Sequence, residues 1–248
     1  MKKILLAIAN YSDHRQDTFD NKISPITASY CKKHGFEYIA SKGIDTGRKN
    51  PIWQKMFYVR KLIDGGLENG DRVTVLVADM VIAKDDLSYE TNKSFSYAID
   101  NGNTHCMGNY TITINDWSLK MVDLMLDENR YQKYKDRELW TRWAEQASWY
   151  YLCGIKAHSW TPFTDLPNYG WHSHESIEPT FSIEELHENI EIRGAAWNTT
   201  LLEEEADDPI GKMLQKYNIV KSKKKDTIIR HFGGGQPWRE EYFKEWSS

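Results

Sequence analysis

At 248 residues the chain is long for one domain and short for two, with enough length to bury a substantial core. Hydrophobic residues at 40%, charged residues at 27% and a net charge of −4 fit an ordinary globular protein and exclude an overall basic field for nucleic acid. Ten Trp and fourteen Tyr are unusual, because their flat, amphipathic rings suit sugars and bases as well as cores.

Cys31, Cys106 and Cys153 are isolated in sequence and match no metal or disulfide spacing, so a reducing compartment is expected. The apolar run at residues 4–9 is too short for a signal peptide, and no stretch reaches the length of a membrane span. The expectation is a cytoplasmic protein without an anchor.

Residues 2–9 read as a first buried strand that ends in the polar loop Asn10-Tyr11-Ser12. A helix is predicted over 24–34, with Ser24 as N-cap, Pro25 in the first turn and Gly35 as the stop. Residues 36–40 form a second strand, and strand, helix, strand opens a nucleotide-binding α/β fold. The first loop then contacts a base or ribose, or is a loop with no ligand. Asn50-Pro51 opens a helix over 52–64, closed by Gly65-Gly66. Lys55, near its start, could reach a phosphate, although taken alone it reads first as a surface charge.

Residues 73–77, Val-Thr-Val-Leu-Val, are a near-continuous β-branched run, the pattern of a strand buried on both faces. Asp79 sits where that strand should end, with Val81 and Ile82 beyond it. The carboxyl end of a central strand is where α/β proteins bind ligands. Asp79 therefore reads either as a ligand for a divalent cation carrying a diphosphate or as a turn-capping Asp.

Strands are predicted at 95–99 and 105–114, then a core helix over 117–127 capped by Asn115-Asp116. A second long helix, 138–153, carries Glu145-Gln146 and stops at Gly154. An acid beside an amide can bind polyol hydroxyls, or can simply be two polar residues on an exposed face. Ser182 and Glu185 form a capping box. The acidic run at 203–208 and the basic run at 221–225 read as solvated loops. His172-Ser173-His174-Glu175 has metal-ligand residue types but no second cluster near it. A short strand at 226–231 leads into His231-Phe232-Gly233-Gly234-Gly235-Gln236, where glycines would let backbone N–H groups approach an anion. A closing helix is predicted at 240–246.

In this order the pieces resemble the GT-A glycosyltransferases. The resemblance is nearest to the retaining family that includes fungal Golgi α-galactosyl- and α-mannosyltransferases and plant xyloglucan α-xylosyltransferases. It is carried by Trp53-Gln54-Lys55, Val77-Ala78-Asp79, Asn115-Asp116-Trp117-Ser118, Glu145-Gln146, Trp197-Asn198, and His231 with Gln236-Pro237-Trp238. Two positions depart from the family pattern. Val77 stands where the first acid of Asp-x-Asp would be, and Gln236 where a phosphate-facing Lys would be.

The resemblance implies a single α/β GT-A domain over 1–248, with a mixed sheet flanked by helices. The nucleotide-binding half spans about 1–100 and the acceptor-binding half about 101–248. It implies transfer of a sugar from a nucleoside diphosphate donor, a UDP-sugar first, to an acceptor hydroxyl with retention. Asp79 and His231 would hold Mn²⁺ or Mg²⁺. Ala9, Asn10, Tyr11, Ser12, Lys55, Ala78, Asp79, Trp197, Asn198, Gly233, Gly234 and Gln236 would line the donor, and Glu145 and Gln146, the catalytic residues with Asp79, would bind sugar hydroxyls or face the anomeric carbon. Lys55 or Arg230 would supply the positive charge that Gln236 lacks, and Trp160, Trp171 and Trp197 would stack on the acceptor, which could be a glycan, a small molecule or a modified nucleic-acid base. The rivals are a degenerate protein that binds a nucleotide sugar without turning it over, and a metallohydrolase built on His172, His174 and Glu175.

Overall fold

The computed structural model describes residues 1–48, 50–101, 105–134, 145–154, 180–200, 202 and 223–232. Six strands form one mixed sheet: β1 (Lys3–Ile8), β2 (Glu37–Ser41), β3 (Arg72–Val77), β5 (Phe95–Ile99), β6 (His105–Thr113) and β7 (Ile190–Arg193). Their order is β2-β1-β3-β6-β5-β7. β1 pairs in parallel with both β2 and β3, and β6 runs antiparallel between β3 and β5. Two further strands, β4 (Met80–Ile82) and β8 (Ile229–His231), form a small antiparallel sheet in which Met80 faces His231.

The expected central strand is interior and buried on both faces. Val73 and Val75 face one core with Met56 and Val59 of α3 (Gln54–Asp64) and Met121, Val122 and Met125 of α4 (Asp116–Leu126). Trp149 and Tyr150 of α5 (Glu145–Cys153) complete that layer. Leu76 faces the opposite core, with Tyr30 and Cys31 of α2 (Ser24–His34) and Ile82 and Ile229 of the small sheet. Thr74 fits this apolar strand because its hydroxyl pairs with that of Thr111 at 2.9 Å.

The structure corrects one helix cap and adds elements to the sequence reading. A five-residue helix, α1 (His14–Thr18), and a π-helical turn, Phe19–Ile23, run straight into α2. Ile23, not Ser24, therefore occupies the N-cap position of α2, and Ser24 Oγ instead accepts from the Tyr38 hydroxyl. Val81 and Ile82 form a separate strand, β4, beyond a turn at Ala78-Asp79.

The other local signals act as expected. Gly35 ends α2 with a left-handed φ of 69°, and the Asn115 side chain accepts from Ser118 N in a reciprocal capping box. Ser182 and Glu185 do the same at the start of α6 (Ile183–Asn189). Among the described residues no helix is long and apolar enough to cross a membrane.

Candidate functional site

Strand order places the site. β1 lies between β2 and β3, so successive connections leave it in opposite directions and open a crevice at the carboxyl ends of β1 and β3. The residues after those strands, Ala9-Asn10-Tyr11 and Ala78-Asp79, lie at this mouth. Ala9, Ala78, Val81 and Phe232 form its apolar floor, with Tyr11 packed against them. Burial and then the Asp79 carboxylate push the Tyr11 phenol well above its usual range, so it stays a neutral donor. Arg15 lies over the Tyr11 ring at 4.8 Å and is itself tied to Asp13 at 2.7 Å.

The small sheet brings His231 to the same place. Pairing of Met80 with His231 sets the imidazole beside Asp79, with Nε2 3.7 Å from Asp79 Oδ1. Phe232 N donates to Asp79 O at 2.8 Å and fixes the turn. His231 Nδ1 lies 2.9 Å from Asn198 Oδ1. Asn198 is completely buried in a 3₁₀ turn, Ala195–Asn198. Asn109 of β6 reaches across to hold that turn, donating to Trp197 O at 2.6 Å. The Arg193 guanidinium covers the Trp197 ring at 4.6 Å.

A second polar group lies behind β6. Lys55 of α3 contacts Glu145 Oε1 at 2.6 Å and donates to Met107 O at 2.8 Å. The reading of Lys55 as a surface charge is overturned, since the residue is 8% exposed. Burial pushes the Glu145 carboxyl above its ordinary value and Lys55 opposes that shift. Gln146 Oε1 accepts from Met107 N at 2.9 Å, and its Nε2 donates to the Tyr150 hydroxyl at 3.0 Å. Each end of that amide keeps one hydrogen-bonding capacity by count. The exposed-face reading of Glu145-Gln146 fails too, because every residue of α5 is buried.

On β6, Cys106 precedes Met107, whose carbonyl Lys55 reaches. Burial, then the Asp100 carboxylate, raise its thiol to about 11, against weaker pulls from Lys55 and Asn198. It is a neutral thiol rather than a nucleophile. Neither Cys106 nor Asn109 stood out in the sequence, where each is one polar residue in a strand with no motif around it.

Val77 packs with the apolar cluster around Leu76 and Met80 and brings no ligand. Arg230 is 2% exposed, lies over the Phe232 ring at 5.0 Å and reaches Thr199 O at 3.5 Å. Its strand neighbour His231 contacts Asp79 instead. Among the described residues no group of three or more His, Cys, Asp or Glu side chains could hold a metal ion. Gly233, Gly234, Gln236, Trp160, Trp171 and the His172–His174–Glu175 cluster lie outside the described residues.

No family model and no curated protein sequence matches the chain. Solved structures do. A glycosyltransferase involved in glycosylation of the major capsid of PBCV-1 superposes with a TM-score of 0.57 at 8% identity, over 99% of this chain and 100% of that one. The galactosyltransferase LgtC, solved with donor and acceptor sugar analogues, gives 0.47 at 12% identity, over 99% and 95%. The glycosyltransferase GlyE of Streptococcus pneumoniae gives 0.46 at 12% identity, over 100% of this chain and 60% of that one. The chain has the GT-A fold, an α/β architecture with a six-stranded mixed sheet flanked by helices.

Proposed function

We propose that this protein is a glycosyltransferase that moves a sugar from a nucleoside diphosphate donor, a UDP-sugar first, to an acceptor hydroxyl with retention. The observation that carries this reading is the meeting of Asp79 and His231 at the carboxyl ends of β1 and β3, in a GT-A fold. The nucleotide would lie on residues 1–100 and the acceptor on 101–248, as in the retaining α-galactosyl-, mannosyl- and xylosyltransferases that the sequence resembles.

The residues at the mouth fit a divalent cation. A carboxylate oxygen and an imidazole nitrogen 3.7 Å apart can both touch one ion at the roughly 2.0–2.2 Å usual for such ligands. A bound Mn²⁺ or Mg²⁺ would supply positive charge to the leaving diphosphate, whose oxygens would complete the ion's ligands. The chain's own residues do the remaining work. Tyr11 and Arg15 offer a flat, cation-backed face for a base or ribose, and Ala9 and Ala78 leave room for the phosphates. Asn10, Ser12 and Trp197 extend the donor surface. Gln146 offers its spare amide capacities to sugar hydroxyls, and Glu145, completely buried and held by Lys55, is not a nucleophile. Lys55 acts on the sugar pocket through Glu145.

The test is release of nucleoside diphosphate from a panel of UDP- and GDP-sugars with Mn²⁺. Turnover that Asp79→Asn abolishes is the expected result, and turnover untouched by that change would contradict the assignment. One observation favours a second reading: Val77 packs as an apolar residue where a second acid would serve the cation. A protein that only holds the nucleotide sugar would bind it in an Asp79-dependent way and release no product.

A further inference from the structure

We propose that Asn198 is the positioning residue of the cation site, fixing which nitrogen of His231 carries the proton. This rests on the reading above that Asp79 and His231 hold a cation. An amide oxygen can only accept, so Asn198 Oδ1, 2.9 Å from His231 Nδ1, requires the hydrogen on Nδ1. The lone pair of Nε2 then points towards Asp79 Oδ1, 3.7 Å away. With the opposite tautomer an N–H would face Asp79 and no cation could enter between them. Asn198 thus keeps the pair ready for a positive ion rather than closed on itself.

The support for Asn198 is rigid. It is completely buried, its Oδ1 is the atom that faces the imidazole, and its Nδ2 has no hydrogen-bond partner among the described residues. Main-chain bonds lock the two segments together: Thr199 N donates to Ile229 O at 2.9 Å, His231 N to Thr199 O at 2.9 Å, and Ile228 N to Ala196 O at 2.8 Å. Asn109 pins the same turn to β6 at 2.6 Å. The amide and the ring therefore cannot drift apart independently. Partners that orient a ligand histidine in this way typically matter about 10–100-fold for metal affinity.

The experiment reads the His231 ring directly, by long-range ¹H–¹⁵N correlation on the metal-free chain. It then measures Mn²⁺ affinity in the presence of UDP from the free-ion electron paramagnetic resonance signal. The wild type should show the Nδ1–H form. Asn198→Leu should mix the tautomers and weaken Mn²⁺ by about tenfold or more, while Asn198→Asp, which keeps an acceptor, should retain both properties. An Nε2–H ring in the wild type overturns the proposal without any variant. So does an Asn198→Leu chain, folded by circular dichroism, that binds Mn²⁺ as tightly as the wild type. A wild type with the Nδ1–H ring that binds no Mn²⁺ beside any nucleotide overturns the cation reading itself, and is told apart by the ring signal.

Discussion

Two acid–base pairs flank the middle of the sheet, and they are built in opposite ways. Lys55 and Glu145 meet at 2.6 Å with the Glu145 side chain 0% exposed, and the Lys55 ammonium also takes the Met107 carbonyl. His231 and Asp79 stand 3.7 Å apart, with the Asp79 side chain 32% exposed, and the ring is held from behind by Asn198. The first pair is closed by a short ion contact, although burial still outweighs Lys55 at the Glu145 carboxyl, whose oxygens make no hydrogen bond among the described residues. The second is the looser contact and is partly open to solvent. A closed pair stabilises a local shape, whereas an open one at a sheet mouth is where a ligand can contribute the missing charge.

The largest effect should come from opening the closed pair. Lys55→Met strands a buried carboxylate and should cost about 3–5 kcal/mol in urea unfolding. The loss should depend on pH. A carboxyl whose folded pKa is raised contributes stability that is complete below its unfolded value and is lost as pH rises through the folded one. Glu145 is already raised by burial, and removing Lys55 raises it further. The Lys55→Met defect should therefore be larger at pH 8 than at pH 5, and Lys55→Met with Glu145→Gln should recover part of it. Equal losses at both pH values would break the contrast between the pairs.

The open pair should behave in reverse. Asp79→Asn should shift ligand-free stability by no more than about 0.5 kcal/mol, as for a partly exposed group whose ion partner, His231, stands 3.7 Å away. It should nonetheless lose the roughly 2.7 kcal/mol that a nucleotide at 100 times its dissociation constant adds to the wild type. Calorimetric melts with and without nucleotide check both halves. Val77→Asp restores an acid at the mouth and should tighten Mn²⁺ about tenfold, or about 1.4 kcal/mol, by titration. Asn115→Ala, at a helix cap distant from either pair, should cost about 1 kcal/mol at any pH and calibrates the others.

The sheet and most helix ends were legible because their signals are local. The β-branched run at 73–77, the stop at Gly35 and the boxes at Asn115 and Ser182 each specify their own neighbourhood. α1 was missed because none of its residues is buried, so it has no apolar period; Asp13, which accepts from Arg15 N as N-cap, was the available signal. Of the small sheet, the strand expected at 226–231 is present as β8, while β4 and its pairing were missed because three-residue strands gain their stability from a partner distant in sequence. The burial of Lys55 was hidden for the same reason: its partner lies on another helix. For the site, residue types at Asp79, His231, Trp197 and Asn198 were readable by resemblance. Their geometry, above all the Asn198 bond behind His231, needed the fold.

The most direct test of the open pair is a thermal-shift panel of UDP, GDP, CDP and ADP on the wild-type chain, each with and without Mn²⁺. Stabilisation by one nucleotide that requires Mn²⁺, UDP first, is the result predicted here. No shift with any of the four, with or without the metal, would contradict it and leave the GT-A fold without its donor.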